Sequence, residues 1–474
     1  MREEKMSVLA TAIRNLPDAK TANGAETFST SKNAIVDLFF LIGGASLKTT
    51  PVPSLVKLFE EGYEQDAERA IRILLWLRDI RGGAGRREIF RQIMKRLEVT
   101  KPALAAELAQ FTPEYGRFDD LLIFQTPEVK HAAYATIARA LVEKNGLAAK
   151  WMPRKGDVAR ELREFLELTP KQYRKLLVSL TNVVETQMCA KDWTNINYSH
   201  VPSVASLRYA KAYGRHDAAR YATWKDAVEK GEAKVNTGAL YPHDVVRALK
   251  VGDTQLANGV WKQLPNFVGD ANILAIADVS GSMEQKIQGE VTAMDVSIAL
   301  AMYLANKNTG TFANLFMTFT TSPSFVELDP KASLQKNYEK TARAPWGMST
   351  DLQKAFDLIL RTAVQAGATQ DDMPEVLLIL SDMEFNSACN GMGMTNYQAA
   401  AAKFQQAGYK LPRVVFWNLA SRVGNVPVRY DQEGVALVSG YSPALLTAVL
   451  QAEKFTPMGI VDQVIMSDRY NIFG

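Results

Sequence analysis

The sequence predicts two folds in series, a stack of α-helices followed by a doubly wound α/β domain (α plus α/β). From about residue 30 to 250, segment after segment places apolar residues at helical spacing. After Pro265, apolar runs of strand length alternate with helical stretches. The charge balance turns over at the same point. Residues 1–265 hold 40 Lys/Arg against 31 Asp/Glu, net +9, and residues 266–474 hold 15 against 20, net −5. A chain of 474 residues exceeds one ordinary core, so the expected domains are 1–265 and 266–474.

The helical half reads in order as KNAIVDLFFLI, VPSLVKLFEEGYEQ, ERAIRILLWLRDI, RREIFRQIMKRL, KPALAAELAQF, VKHAAYATIARALVEK, VARELREFLEL and KQYRKLLVSLT. Pro51, Pro53, Gly82, Gly83, Pro113, Gly116, Pro153 and Gly156 punctuate it at intervals of about one helix pair. Helix pairs with short connections stack into a solenoid of the HEAT or armadillo kind. No strict repeat period is present, so this expectation rests on helix content.

In the second half, NILAIADVS is a strand-length run that ends in polar residues, and helix TAMDVSIALAMYLAN follows it. The strands ANLFMTFT and FVEL come next, then helix DLQKAFDLILRTAVQ and strand EVLLILSD. Helix NYQAAAAKFQQAG, strands RVVFWNLA and GVALVSG and helix SPALLTAVLQ complete the series. Strands apolar on both faces that alternate with helices form parallel, Rossmann-like sheets. Ligands in such sheets sit beyond the carboxyl ends of the strands.

Composition, 47% apolar and 22% charged, is that of a folded globular chain. Cys189 and Cys389 form no CxxC pair, which excludes a cysteine zinc site and fits a reducing compartment. The opening MREEKMSVLATAIRNL carries acids and breaks at Leu16-Pro17, unlike a secretory signal. No apolar run approaches the roughly 18 residues of a membrane helix. A soluble, cytoplasmic protein without a membrane partner is expected.

Polar residues cluster where the strands end. Strand NILAIA runs into Asp278-Val279-Ser280-Gly281-Ser282, which directs three side-chain oxygens around one turn. Strand EVLLIL runs into Ser381-Asp382, and Gly347-Met348-Ser349-Thr350-Asp351 precedes a helix and can present the Thr350 hydroxyl. Mg²⁺ takes six hard oxygens and keeps several waters. Asp278, Ser280, Ser282, Thr350 and Asp382 would form an incomplete cage for it, open to an outside oxygen. Alone, a D-x-S-x-S string is a turn or helix cap; specificity comes from finding the set in order at successive strand ends.

Enzyme alternatives fail on residue type, and no catalytic residue is assigned. Haloacid-dehalogenase phosphatases use D-x-D, whose second Asp moves the proton, and Ser280 stands in that place. Arg81-Gly82-Gly83-Ala84-Gly85 lacks the Lys-Ser/Thr end of a phosphate-binding loop. His131, His200, His216 and His243 make no H-E-x-x-H pattern. A non-enzymatic protein is expected.

The five-residue set resembles the metal-ion-dependent adhesion site of von Willebrand A domains, across residues 266–474. That resemblance implies an ion whose open position is completed by a partner's carboxylate. The strings Arg78-Asp79-Ile80-Arg81-Gly82-Gly83-Ala84-Gly85-Arg86-Arg87-Glu88 and Gly116-Arg117-Phe118-Asp119-Asp120-Leu121 are similar to the TROVE module of the Ro ribonucleoprotein autoantigen family. They are closer to its phage and bacterial relatives of unassigned function. Asn23–Phe28, Val201–Ser203 and Tyr241–Asp244 share that likeness. It implies a ring of HEAT-like helices that binds small non-coding or misfolded single-stranded RNA.

The residues expected to carry RNA are Arg78, Arg81, Arg86, Arg87 and Arg91, with Arg72, Lys95 and Arg96 nearby, and Lys150, Arg154 and Lys155 around Trp151. Such cations neutralise phosphates, and an aromatic ring beside them stacks a base. Trp193 and Tyr198, near Lys191, are further candidate platforms. The competing reading is a protein-interaction adaptor without RNA, as in von Willebrand A domains that assist AAA-type ATPases. A basic helix face is often only a solvated surface.

Overall fold

A computed structural model describes residues 16–45, 50–250, 254–288, 290–320, 322–343, 350–388, 393–420 and 422–472. Gly347, Met348 and Ser349 of the Thr350 loop, and Cys389, lie outside these. Among the described residues no helix is long and apolar enough to cross a membrane.

The chain separates into two compact units. One contains the described residues up to Ser54, Glu60–Ala70 and Asn266–Ser467; the other contains Leu55–Phe59, Ile71–Pro265 and the tail from Asp468. The change of fold near residue 265 is where the sequence places it. The domain 1–265 expected from sequence is nevertheless split, because its first segment folds with the second half.

In the sheet unit, strands β1 (Ile273–Asp278), β2 (Leu315–Phe319), β3 (Ser324–Glu327), β4 (Val376–Ser381), β5 (Arg413–Asn418) and β6 (Val435–Ser439) stand in the order β6-β5-β4-β1-β2-β3. All pairs are parallel except β2–β3, where β3 adds an antiparallel edge. Every residue of β1 and β4 is buried, as strands covered on both faces require. The helix Ala293–Lys307 packs on β1, and the helix Pro457–Ile465 on β6. Thr292 starts the first of these with a capping box closed by Asp295. Asp278 and Ser381–Asp382 therefore fall side by side at the carboxyl edge, at the ends of the central strands β1 and β4.

The helix Ala34–Ile42 explains why the first segment folds with the sheet. Apart from Asp37, which accepts from Thr30 Oγ1 and Ser31 N, AIVDLFFLI is apolar around its circumference, and every residue from Ile35 to Ile42 is buried. Such a helix cannot lie on a surface with one face in water. It packs on β6 and on Pro457–Ile465. Asn33 caps its start through Ile35 N and Val36 N. At its other end Asn418 Nδ2 donates to Phe40 O and Ser439 Oγ to Phe39 O, both at 2.6 Å. These bonds satisfy carbonyls that no later turn of helix reaches.

In the helical unit, helices pack on their sequence neighbours or near neighbours. Arg87–Thr100 lies against Pro102–Tyr115, which lies against Pro127–Val142, and Ala218–Lys230 lies against Thr254–Gln263. Tyr198, Tyr213, Tyr221 and Trp224 form an aromatic cluster with ring centroids 5.1–5.7 Å apart. The C-terminal tail is anchored here: Tyr115 Oη donates to Arg469 O at 2.7 Å, and Arg469 and Tyr470 Oη both donate to Asp79.

Candidate metal centre

Asp278 ends β1 and Asp382 follows β4, so parallel pairing of the two strands brings both carboxylates to one edge. Asp278, Ser280, Thr350 and Asp382 are all buried, and Ser282 is exposed. Ser280 N donates to Asp278 Oδ1 at 2.9 Å, Ser381 Oγ donates to Asp278 Oδ2 at 2.6 Å, and the Ser280 and Ser282 hydroxyl oxygens are 3.1 Å apart. Ser282 hydrogen-bonds Asp382 through its side chain, and Glu384 N donates to Asp382 Oδ1 at 3.1 Å. Four of the five expected residues thus form one connected set. Thr350 joins it through the segment after Asp382: Asn386 N donates to Thr350 O at 2.9 Å.

Burial pushes the Asp278 carboxyl well above the ordinary carboxylate range, and the charge of Asp382 pushes it further. Burial raises Asp382 as well, against hydrogen bonds from Ser282 and the Glu384 amide. Among the described residues the hydrogen bonds to these two buried carboxylates come from hydroxyl and amide donors, and neither carboxylate is in an ion pair. Among the described residues there is no cluster of three or more His, Cys, Asp and Glu that could hold a metal ion. Two carboxylates with three hydroxyls are instead the hard, all-oxygen donors that suit Mg²⁺. The residues fit that ion, and the exposed Ser282 marks the side open to solvent.

Sequence reasoning missed three neighbours. Asn23 Nδ2 donates to Glu384 O at 2.6 Å and lies 3.5 Å from Thr350 Oγ1. Glu384 Oε2 accepts from Ala22 N at 2.6 Å, and its Oε1 lies 3.8 Å from Arg422 Nε. Arg422 is largely exposed, and its charge opposes a small part of the rise that burial imposes on Asp382. The N-terminal segment continues along the same edge through bridges Gly24 to Asn386, Glu26 to Thr395 and Phe28 to Val426. The available signal was the position of Glu384, two residues beyond the strand-end Asp382. Nothing local in Asn23 marks it.

Several of the expected RNA residues are taken up within the fold. Arg78 is 3% exposed and Asp120 0%, and Arg78 Nη2 sits 2.7 Å from Asp120 Oδ2. Arg91 Nε donates to Asp120 Oδ1 at 2.7 Å, and Arg117 N to Oδ2 at 2.9 Å. Arg72 and Arg86 are buried, and Lys150 pairs with Glu185 at 3.2 Å. Arg78 and Arg91 are held by Asp120, which lies about thirty to forty residues away in sequence, and Arg86 is buried. Arg81, Lys95, Arg96, Arg154 and Lys155 are exposed, and Arg87 is partly so.

The glycine strings serve the same packing. A Cβ on Gly116 would meet Asp120 Oδ2 at 2.5 Å and Arg78 Nε at 2.8 Å, and one on Gly83 would meet Trp76 O at 2.0 Å. The platforms are also occupied. Arg117 lies 3.6 Å over the Trp151 ring, Trp193 stacks on His216 at 4.5 Å, and Tyr198 sits within the aromatic cluster.

Fold and site together define a class: a helical unit and a doubly wound α/β unit with paired carboxylates and hydroxyls at its strand ends. The chain belongs to the family described as a domain of unknown function, DUF2828, whose model matches residues 21–119 and 130–286. A second model, domain of unknown function DUF7788, matches residues 272–468. The chain is 30% identical to uncharacterized protein L728 of Acanthamoeba polyphaga mimivirus, over 94% of this chain and 86% of that one. It is also similar to a crystal structure of the Ro (RSR) protein of Deinococcus radiodurans, with 12% identity and a TM-score of 0.44. That match covers 92% of this chain and 100% of the other.

Proposed function

We propose that this protein is a non-enzymatic scaffold that docks a protein partner through Mg²⁺ at its α/β unit and holds single-stranded RNA on its helical unit. The observation that carries the reading is the buried pair Asp278 and Asp382, tied together with Ser280 and the exposed Ser282 by hydrogen bonds, with buried Thr350 joined through Asn386 to the segment after Asp382. These five residues would hold the ion, which supplies a Lewis-acidic position for an outside carboxylate oxygen. Arg422, exposed beside Glu384, adds a positive charge to the rim that favours an acidic partner. Among the described residues, neither Asp278 nor Asp382 hydrogen-bonds a histidine.

The RNA half of the reading is supported by the net +9 of residues 1–265 and by exposed Arg81, Lys95, Arg96, Arg154 and Lys155. The burial of Arg78 and Arg86 and the pairing of Arg91 with Asp120 favour the second reading, a protein adaptor without RNA. A gel-shift of the full chain with single-stranded RNA at several salt concentrations separates them. Binding that falls steeply with salt supports the scaffold, and absence of binding at low salt leaves the adaptor. Calorimetry with Mg²⁺ tests the shared metal site.

A further inference from the structure

A second site-like feature lies in the helical unit, unrelated to the expected RNA residues. The helices Ser203–Arg208, Ala210–His216, Ala218–Lys230, Pro242–Lys250 and Thr254–Gln263 border a cavity of about 670 Å³, within the size range of small-ligand pockets. Four cations line it: Arg208, Lys211, Lys225 and Arg247. One carboxylate, Asp244, faces them. It accepts the Tyr241 amide at 3.0 Å and so caps its own helix. Lys211 and Arg247 have no ion-pair partner among the described residues, and both are exposed. The opposite character comes from Leu207, Leu240 and Leu256, of which the last two are buried.

We propose that this cavity binds a nucleoside phosphate, with the phosphate at Lys211 and Arg247 and the base against the leucine wall. The charge left after Asp244 is counted suits a dianionic phosphate better than a single carboxylate. The apolar wall suits a flat base and disfavours a bare sugar phosphate. Gly214 contributes no side chain to the wall, and a Cβ there would meet nothing within 4 Å, which leaves room for the ligand. The same chemistry has two sources, a free nucleotide or the 5′-phosphorylated end of an RNA strand. The site does not depend on the metal centre.

Calorimetry on the full chain in EDTA tests this with AMP, adenosine, and tetra-adenylate with and without a 5′-phosphate. Saturable binding is expected for AMP or for the phosphorylated tetranucleotide, and whichever binds more tightly identifies the source. Lys211→Ala with Arg247→Ala should weaken binding roughly tenfold or more, the scale of a lost charge-assisted bond. Gly214→Leu, which keeps every charge and suits a helix, should block entry. The proposal is overturned if neither phosphorylated probe binds at low salt, if the unphosphorylated probes bind equally well, or if both variants bind as the parent does. Loss of Mg²⁺ binding in Asp278→Ala should leave AMP binding intact, which keeps this test separate from that of the metal site.

Discussion

Asp278 and Asp382 carry opposite demands at the residue scale, since burial favours their neutral forms and a cation would favour their charges. Asp278→Ala and Asp382→Ala should each abolish Mg²⁺ binding in calorimetry. Each also removes a buried like charge, so in EDTA neither should lower the melting temperature; wild-type Mg²⁺ affinity in either would remove the site assignment. Asn23 acts differently, because it touches Thr350 and the Glu384 carbonyl but contributes none of the five oxygens. Asn23→Ala should weaken Mg²⁺ binding several-fold, on the order of 1 kcal/mol for one hydrogen bond, with the sheet unit still folded by circular dichroism. Unchanged affinity would make Asn23 a purely structural strut. The carboxylates were legible because their spacing after apolar runs is local. Asn23 was not, because its partners lie more than 320 residues away along the chain.

Short elements take their roles from what they meet. The turn after the helix Ala67–Arg78 is held by Asp79, which accepts from Arg81 N at 2.9 Å, Gly82 N at 3.1 Å, Tyr470 Oη at 3.1 Å and the Arg469 guanidinium. Burial alone would raise the Asp79 carboxyl, but the hydrogen bonds and charge of Arg469 and the Arg81 amide hold it below the ordinary value. A depressed carboxylate contributes stability above its unfolded pKa of roughly 3.9 that is lost as pH falls through the folded value. The stability gap between parent and Asp79→Asn in urea melts should therefore be largest near neutrality and shrink below about pH 4. A gap independent of pH would show that the carboxylate charge contributes nothing. Asp120 is the second such centre, buried between Arg78 and Arg91. Asp120→Ala should cost about 3–5 kcal/mol, as expected when one partner of a buried ion pair is removed. A cost near zero in urea melts would mean that these arginines are satisfied elsewhere. The glycine-rich string around this turn was legible as a motif. Its role as packing became visible only with Arg469 and Asp120 in place.

At the scale of the whole molecule, the two halves of the sequence are not two separable pieces. The helix Ala34–Ile42 buries Ile35, Val36, Leu38, Phe39, Phe40, Leu41 and Ile42 within the sheet unit. Each such side chain is worth about 1.5–3 kcal/mol, so together they match the 5–15 kcal/mol by which a typical domain is stable. A truncated chain beginning at Asn266 should lack a cooperative thermal transition, and adding residues 16–54 back as a separate peptide should restore one. Cooperative melting of the truncated chain alone would refute this account. The proposed scaffold adds a prediction for pull-downs from native lysate. EDTA should release protein partners and leave most RNA, and raised salt should release RNA first, because exposed charges are screened beyond about 8–10 Å. RNA stripped by EDTA as completely as protein would mean that the ion itself helps to hold nucleic acid.

By itself the sequence determined the two fold types, the change between them near residue 265, and the carboxylates and hydroxyls at the strand ends. All of these rest on periodicity and spacing over a few residues, which local backbone geometry translates directly into helices, strands and strand ends. Only the tertiary structure decided that Ala34–Ile42 belongs with the sheet, that Asp120 claims Arg78 and Arg91, both expected at a surface, and that Arg208, Lys211, Lys225 and Arg247 share a cavity with a leucine wall. Whether a cation is free or enclosed depends on which carboxylate arrives beside it from elsewhere in the chain. Arg469 reaches Asp79 across 390 residues. Burial and pairing over such separations are properties of the packed molecule, and no window of sequence contains both partners.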